Sequence, residues 1–151
     1  ERVRSKKAPL IDLKVFIEDK EKHDPYAIWD AFVDELASLI VELDVNLVSI
    51  ESLYGDGFGQ YLQRKLGYCF CLIYIDAPVE TRIRHQMHRE GLSSVEEAIA
   101  ILGPRDEIKA ASGIPRLKSV ANEVLDNSGT LDQLYTAINK VLKHYGHTPK
   151  T

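Results

Sequence analysis

The uninterrupted apolar run YCFCLIYI, from Tyr68 to Ile75, narrows the folds open to this chain more than any other feature. It is rich in aromatic and β-branched residues and stops at Asp76-Ala77-Pro78, which predicts a strand covered on both faces. It is too short to cross a membrane as a helix. Strands of this kind belong to parallel sheets, and parallel neighbours need crossover connections long enough to hold helices.

The rest of the chain supplies such helices. Asp24-Pro25 reads as a helix start, and Trp29, Phe32, Val33, Leu36, Ile40 and Leu43 recur at helical spacing behind it. NLVSI, Asn46 to Ile50, reads as a short buried strand, followed by a Gly55-Asp56-Gly57 loop and a helix over Gln60 to Leu66 that Gly67 ends. After Pro78 a charged helix runs from Val79 to Glu90 and stops at Gly91. Ser93 with Glu96, or Ser94 with Glu97, caps a helix to about Leu102, and Pro104-Arg105-Asp106-Glu107 opens another. A strand over Glu123 to Leu125 leads through Asp126-Asn127-Ser128-Gly129 into a closing helix from Thr130 to about Tyr145. The alternation predicts a layered α/β domain over residues 11–145, with a basic segment or linker over 1–10 and a disordered tail over 146–151.

The chain has 151 residues, enough to bury about 70% of the surface the unfolded chain exposes, so one self-sufficient core is expected. Its 19 Lys and Arg against 23 Asp and Glu argue against a generic nucleic-acid surface. No apolar run reaches membrane-spanning length, and no basic-then-apolar leader opens the chain, so a cytoplasmic location is expected. Cys69 and Cys71 read as reduced core residues. The chain opens on Glu1 and its sole methionine is Met87, which raises the expectation of a segment upstream.

In open parallel sheets ligands bind beyond the carboxyl ends of the strands. Glu51 and Asp76 are carboxylates at such ends, suited to a metal-bound water or a substrate hydroxyl, and equally to helix capping. Arg82, Arg84, His85, His88 and Arg89 crowd one helix, with Arg105 beyond it. Guanidinium forks grip phosphate oxygens, so the cluster is either a phosphate clamp or a solvated face. His85 and His88 have helical spacing but no third metal ligand nearby, so no metal site is expected.

LIYIDAPVETRIRHQMHREG, followed by GPRDEIKAASGIPRLKSVANEVLDNSGTLDQL, resembles the carboxyl-terminal half of P-loop nucleoside-phosphate kinases. Within that superfamily it is most similar to dephospho-CoA kinases and the archaeal dephospho-CoA-kinase-like proteins. NLVSIESL resembles the acceptor-side strand of the same family. The resemblance implies a parallel-sheet, three-layer kinase-like domain, here N-terminally incomplete, that binds ATP with Mg2+. It implies phosphoryl transfer to a nucleotide-like acceptor of the dephospho-CoA or nucleoside monophosphate type. It places Arg82, Arg84, Arg89 and Arg105 on the donor phosphates, with Glu51 or Asp76 positioning metal water or acceptor. It sets Asn127, Ser128 and Gly129 around the adenine.

The chain departs from the family in one respect: it contains no G-x-x-x-x-G-K-[ST] sequence, so the phosphate-wrapping loop, its lysine and its magnesium-holding hydroxyl are missing from it. Two readings follow, a kinase whose phosphate loop lies upstream of Glu1 and a non-catalytic kinase-fold sensor or interaction module. The second allows an upstream DNA-binding segment of which ERVRSKK is the tail. An open sheet edge would also favour homodimerisation.

Overall fold

The computed structural model describes residues 22–146 apart from 52 and 54. The basic segment 1–10 and nearly all of the tail 146–151 therefore lie outside the described residues. The chain divides into two compact units, with the boundary between Ser49 and Ile50.

In the first unit, α1 spans Ala27–Glu42. It begins two residues later than Asp24-Pro25 predicts, because Asp24 closes a turn instead: its Oδ1 accepts from the Tyr26 N–H at 2.9 Å. Val33 is its buried residue, and Tyr26 and Trp29 pack ring against ring at 5.5 Å. Asn46–Ile50 forms no strand. A strand exists only where a neighbour satisfies its backbone groups, and no described segment pairs with this one.

The second unit holds the sheet. Its order is α2 (Asp56–Leu66), a 3₁₀ turn (Gly67–Cys69), β1 (Ile73–Asp76), α3 (Val79–Glu90), α4 (Val95–Ala111), a second 3₁₀ turn (Ile114–Ser119), β2 (Glu123–Asp126) and α5 (Leu131–His144). β1 and β2 are parallel, with Ile73 opposite Glu123 and Asp76 opposite Asp126. The unit is therefore mixed α/β around a two-stranded parallel sheet, with α3 and α4 forming the crossover.

The strand is shorter than its apolar run. Gly67 takes φ +55° and turns the chain into a 3₁₀ segment, leaving Tyr68 97% exposed, and β2 offers partners only to Ile73–Asp76. Cys69 is exposed, which corrects its assignment to the core, while Cys71 is partly covered. Nor are both faces buried: Ile75 is 52% exposed, and Val124, opposite Tyr74, is exposed as well.

Local sequence rules place most helix ends. Ser94 caps α4, its Oγ accepting from the Glu97 N–H at 3.1 Å, so Ser94 rather than Ser93 is the cap. Thr130 and Gln133 form a full capping box on α5. Gly91 ends α3 in the left-handed region, as a chain turning sharply after a helix requires. The Gly55-Asp56-Gly57 stretch is the start of α2 rather than a loop ahead of it.

α4 does not break at Pro104. It runs through the proline as one helix of 17 residues. Gly103 carries no Cβ to clash with the proline ring, and Pro104 and Ala100 are exposed, so water can satisfy the carbonyl that loses its donor.

The core gathers Leu62, Leu72, Ala98, Leu117, Leu125 and Val141, with Leu62 and Ala98 fully buried. α2 packs on the second 3₁₀ turn and α5 on β2. Gly59 lets α2 approach: a Cβ there would meet Leu117 Cδ2 at 2.8 Å.

Candidate functional site

Because β1 and β2 are parallel and end level, their carboxyl ends open on the same side. Asp76 and Asp126 are the paired last residues, and each strand feeds a helix, α3 after Ala77-Pro78 and α5 after Asn127-Ser128-Gly129-Thr130.

The loop after β2 is held by its own hydrogen bonds. The Asn127 N–H donates to the Asp76 carbonyl at 2.7 Å, tying the two strand exits together. Asp126 turns back on the loop, with Oδ1 accepting from the Ser128 N–H at 2.8 Å and Oδ2 from the Ser128 hydroxyl at 2.7 Å. These bonds to the charged form hold the Asp126 carboxyl below the usual carboxylate range. The Thr130 N–H is taken by Gln133 Oε1. Among the described residues the Gly129 N–H takes part in no backbone hydrogen bond. A Cβ on Gly129 would meet the Gln133 side-chain oxygen that takes the Thr130 N–H, so any larger residue there would have to move the Gln133 amide.

Asp76 has a cation beside it. Lys118, at the end of the second 3₁₀ turn, places Nζ 2.5 Å from Asp76 Oδ2. The carboxylate pushes the Lys118 ammonium up from its ordinary value. Asp76 is thus an ion-paired carboxylate rather than a free one. No local sequence pattern marks Lys118, which reaches Asp76 from 42 residues away.

The four arginines are not equivalent. Arg82 Nη1 sits 2.6 Å from both carboxylate oxygens of Asp106, joining the first turn of α3 to α4. Since the start of α3 meets the latter part of α4, the two helices run antiparallel, and Arg105 lies level with Arg82. Arg84 Nη2 donates to Thr81 Oγ1 at 3.1 Å. Arg105 is exposed and makes no side-chain hydrogen bond or ion pair among the described residues. Arg89 is ten residues beyond Val79, about 15 Å along the axis at 1.5 Å per residue. There it donates to Gln86 Oε1 and to Glu90 Oε1. Arg82 thus faces α4, Arg84, two residues on, lies on the opposite side of α3, and Arg89 is carried away from the strand end.

Glu51 is exposed and makes no ion pair among the described residues, and nothing there brings it to Asp76. His85 and His88 are exposed on α3. Among the described residues no three His, Cys, Asp or Glu side chains are grouped to hold a metal ion. No described helix is long and apolar enough to cross a membrane.

Fold and site together define an α/β protein with level strand exits, basic groups beside them and a glycine-bearing loop entering the last helix. The chain is 29% identical over 116 residues to a UPF0200 protein of Methanosarcina acetivorans and 28% identical over 116 residues to a UPF0200 protein of Methanosarcina barkeri. Each alignment covers 77% of this chain and 62% of the relative, so the chain spans less than two thirds of the curated relatives it matches. No protein-family model matches the chain, and no solved structure matches it.

Proposed function

We propose that this chain is part of a nucleotide-binding, P-loop-kinase-like protein. The whole protein would transfer the terminal phosphoryl group of ATP to a nucleotide-like hydroxyl acceptor of the dephospho-CoA or nucleoside monophosphate type. The observation that carries the reading is the level pair of strand exits at Asp76 and Asp126, the first entering a cationic helix and the second a glycine-bearing loop. Ligands collect at such exits in parallel sheets.

The described residues fit one part of ATP. Gly129 offers an N–H, and the neighbouring carbonyls offer acceptors, to the edge of a planar base. Arg84 and Arg105 present guanidinium groups to phosphate oxygens. Lys118 adds a third cation and orients Asp76, which is placed to accept a hydrogen bond from an acceptor hydroxyl. The described residues do not fit the metal-holding part, since no G-x-x-x-x-G-K-[ST] sequence occurs in residues 1–151. Bound ATP would supply the activated phosphoryl group, and the residues here would bind, orient and offset charge.

A second reading, a kinase-fold sensor or interaction module without catalysis, is favoured by one observation. Arg82 and Arg89 both already have partners within the protein. The gene-encoded full-length protein decides between them. It is to be titrated with ATP and Mg2+ and assayed for ATP-dependent phosphorylation of dephospho-CoA and nucleoside monophosphates, with Arg105→Ala as the control. The kinase reading expects transfer that falls at least tenfold in Arg105→Ala. ATP binding without transfer to any acceptor favours the module, and absence of ATP binding removes both. The 151-residue chain alone is expected to bind ATP weakly, because phosphoryl-binding energy comes mainly from the loop it lacks.

A further inference from the structure

Arg82 is the one arginine at the strand-end side of the hairpin that is held by a carboxylate. Its Nη1 lies 2.6 Å from both oxygens of Asp106, and the two side chains keep 37% and 35% of their surface exposed. The contact is accessible enough for a solute anion to compete for the guanidinium. Exposed and half-exposed pairs of this kind are held only weakly, so exchange of one anion for another costs little. Side chains on a helix lean toward its N-terminus, so Arg82 released from Asp106 leans toward Pro78 and the Asp76 exit. Arg105, next to Asp106 on α4, is exposed.

We propose that Asp106 is an internal counter-ion that holds Arg82 out of the phosphate site and that an incoming polyphosphate displaces it. This rests on the phosphate-binding reading above. The pair then works as an autoinhibitory contact. With the site empty, Asp106 neutralises Arg82 and ties α3 to α4; with polyphosphate present, Arg82 changes partner and the tie between the two helices is lost. The Arg82 guanidinium would then be added to the phosphate contacts.

The test uses inorganic tripolyphosphate as the probe, titrated at low ionic strength, where screening is least. Asp106→Asn is expected to bind it about tenfold more tightly than the parent chain, a difference of about 1.4 kcal/mol. Adding Arg82→Ala to that variant should abolish the gain. Glu107→Gln makes the same change in net charge at the neighbouring position without touching Arg82, and it should gain less than twofold. An equal gain in Glu107→Gln, no gain in Asp106→Asn, or a gain that survives Arg82→Ala overturns the proposal.

Should Asp106→Asn fail to fold, the unmodified protein still decides the matter. The Arg82 Nε–Hε resonance must shift during titration and saturate with the binding curve, and a resonance that stays put overturns the proposal. The underlying reading fails separately. If Arg84→Ala and Arg105→Ala leave tripolyphosphate binding unchanged, the hairpin does not bind phosphate at all. If they weaken it while Asp106→Asn gains nothing, phosphate binding stands and only the counter-ion role is lost.

Discussion

Arg116 grips Asp56 across 60 residues of sequence with two hydrogen bonds, Nε to Oδ2 at 2.6 Å and Nη2 to Oδ1 at 3.1 Å. The pair fastens the second 3₁₀ turn to the first residue of α2. The Asp56 N–H adds a bond to the Ser112 carbonyl at 3.2 Å, so the start of the helix is held by backbone and side chain alike. Gly113 makes room for it: φ is +75°, and a Cβ there would collide with both Arg116 and Asp56.

This pair makes stability depend on pH on the acid side. The Arg116 guanidinium holds the Asp56 carboxyl below its ordinary value, and burial opposes it in part. A depressed carboxyl stabilises the fold above its unfolded pKa of about 3.9 and loses that contribution as pH falls through the folded value. Urea unfolding at pH 7 and pH 3 should show a drop in the parent protein that is smaller in Asp56→Asn. An equal drop in both would remove the pair from the account of acid sensitivity. Gly113→Ala should destabilise at either pH, because its Cβ pushes the partners apart.

Asn122 closes the entry to the sheet. Its Oδ1 accepts from the buried Leu72 N–H at 2.8 Å and from Gln63 Nε2 at 3.2 Å, while its own N–H donates to the Leu72 carbonyl. Asn122→Ala leaves the Leu72 N–H without its acceptor and should cost about 1–3 kcal/mol in chemical denaturation. Asn122→Asp keeps an acceptor and should cost less. The reverse order would show that packing rather than the hydrogen bond matters.

Pro104 invites a stabilising change. Pro104→Ala restores a donor to the Ala100 carbonyl inside an exposed helix turn and should raise stability by about 1–3 kcal/mol. Gly103→Ala should add about 0.5–1 kcal/mol only in the Pro104→Ala background, because beside the proline ring a Cβ is unwelcome. Thermal melts of the two single variants and the double variant would show this dependence, and simple additivity would contradict it.

The two cysteines should behave differently. Cys69 is exposed, whereas burial pushes the Cys71 thiol up, with its hydrogen bond from Tyr145 acting the other way. Native-state labelling should modify Cys69 well before Cys71. The hydrogen bond with Cys71, and then burial, push the Tyr145 phenol up to about 12. A raised phenol stabilises the fold below its unfolded pKa of about 10, and the contribution is lost as pH rises toward 12. Tyr145→Phe should flatten that alkaline loss, and a denaturation series from pH 9 to 12 is the check.

Sequence patterns located most helix boundaries because their causes are local. Ser94, Thr130, Gly67 and Gly91 act within one turn of where they stand, so their chemistry can be read in order along the chain. Strand length could not be read that way. The apolar character of Tyr68 to Ile75 marks where a strand belongs, but β1 extends only as far as Glu123–Asp126 can pair with it, and Asn46–Ile50 pairs with no described strand.

The basic cluster shows the same division. The presence of Arg82, Arg84, Arg89 and Arg105 is a sequence fact, and helical spacing puts three of them on α3. Which of them are free depends on partners both near and far: Asp106, 24 residues on, takes Arg82, neighbouring Gln86 and Glu90 take Arg89, and among the described residues Arg105 stays open. Lys118 reaches Asp76 across 42 residues for a reason no local pattern contains. By itself the sequence determined helix identity, caps and the apolar strand, because propensity and capping operate over a few residues. Register, strand length and the pairing of charges were decided only in three dimensions, because each depends on which groups the crossover brings within hydrogen-bonding distance.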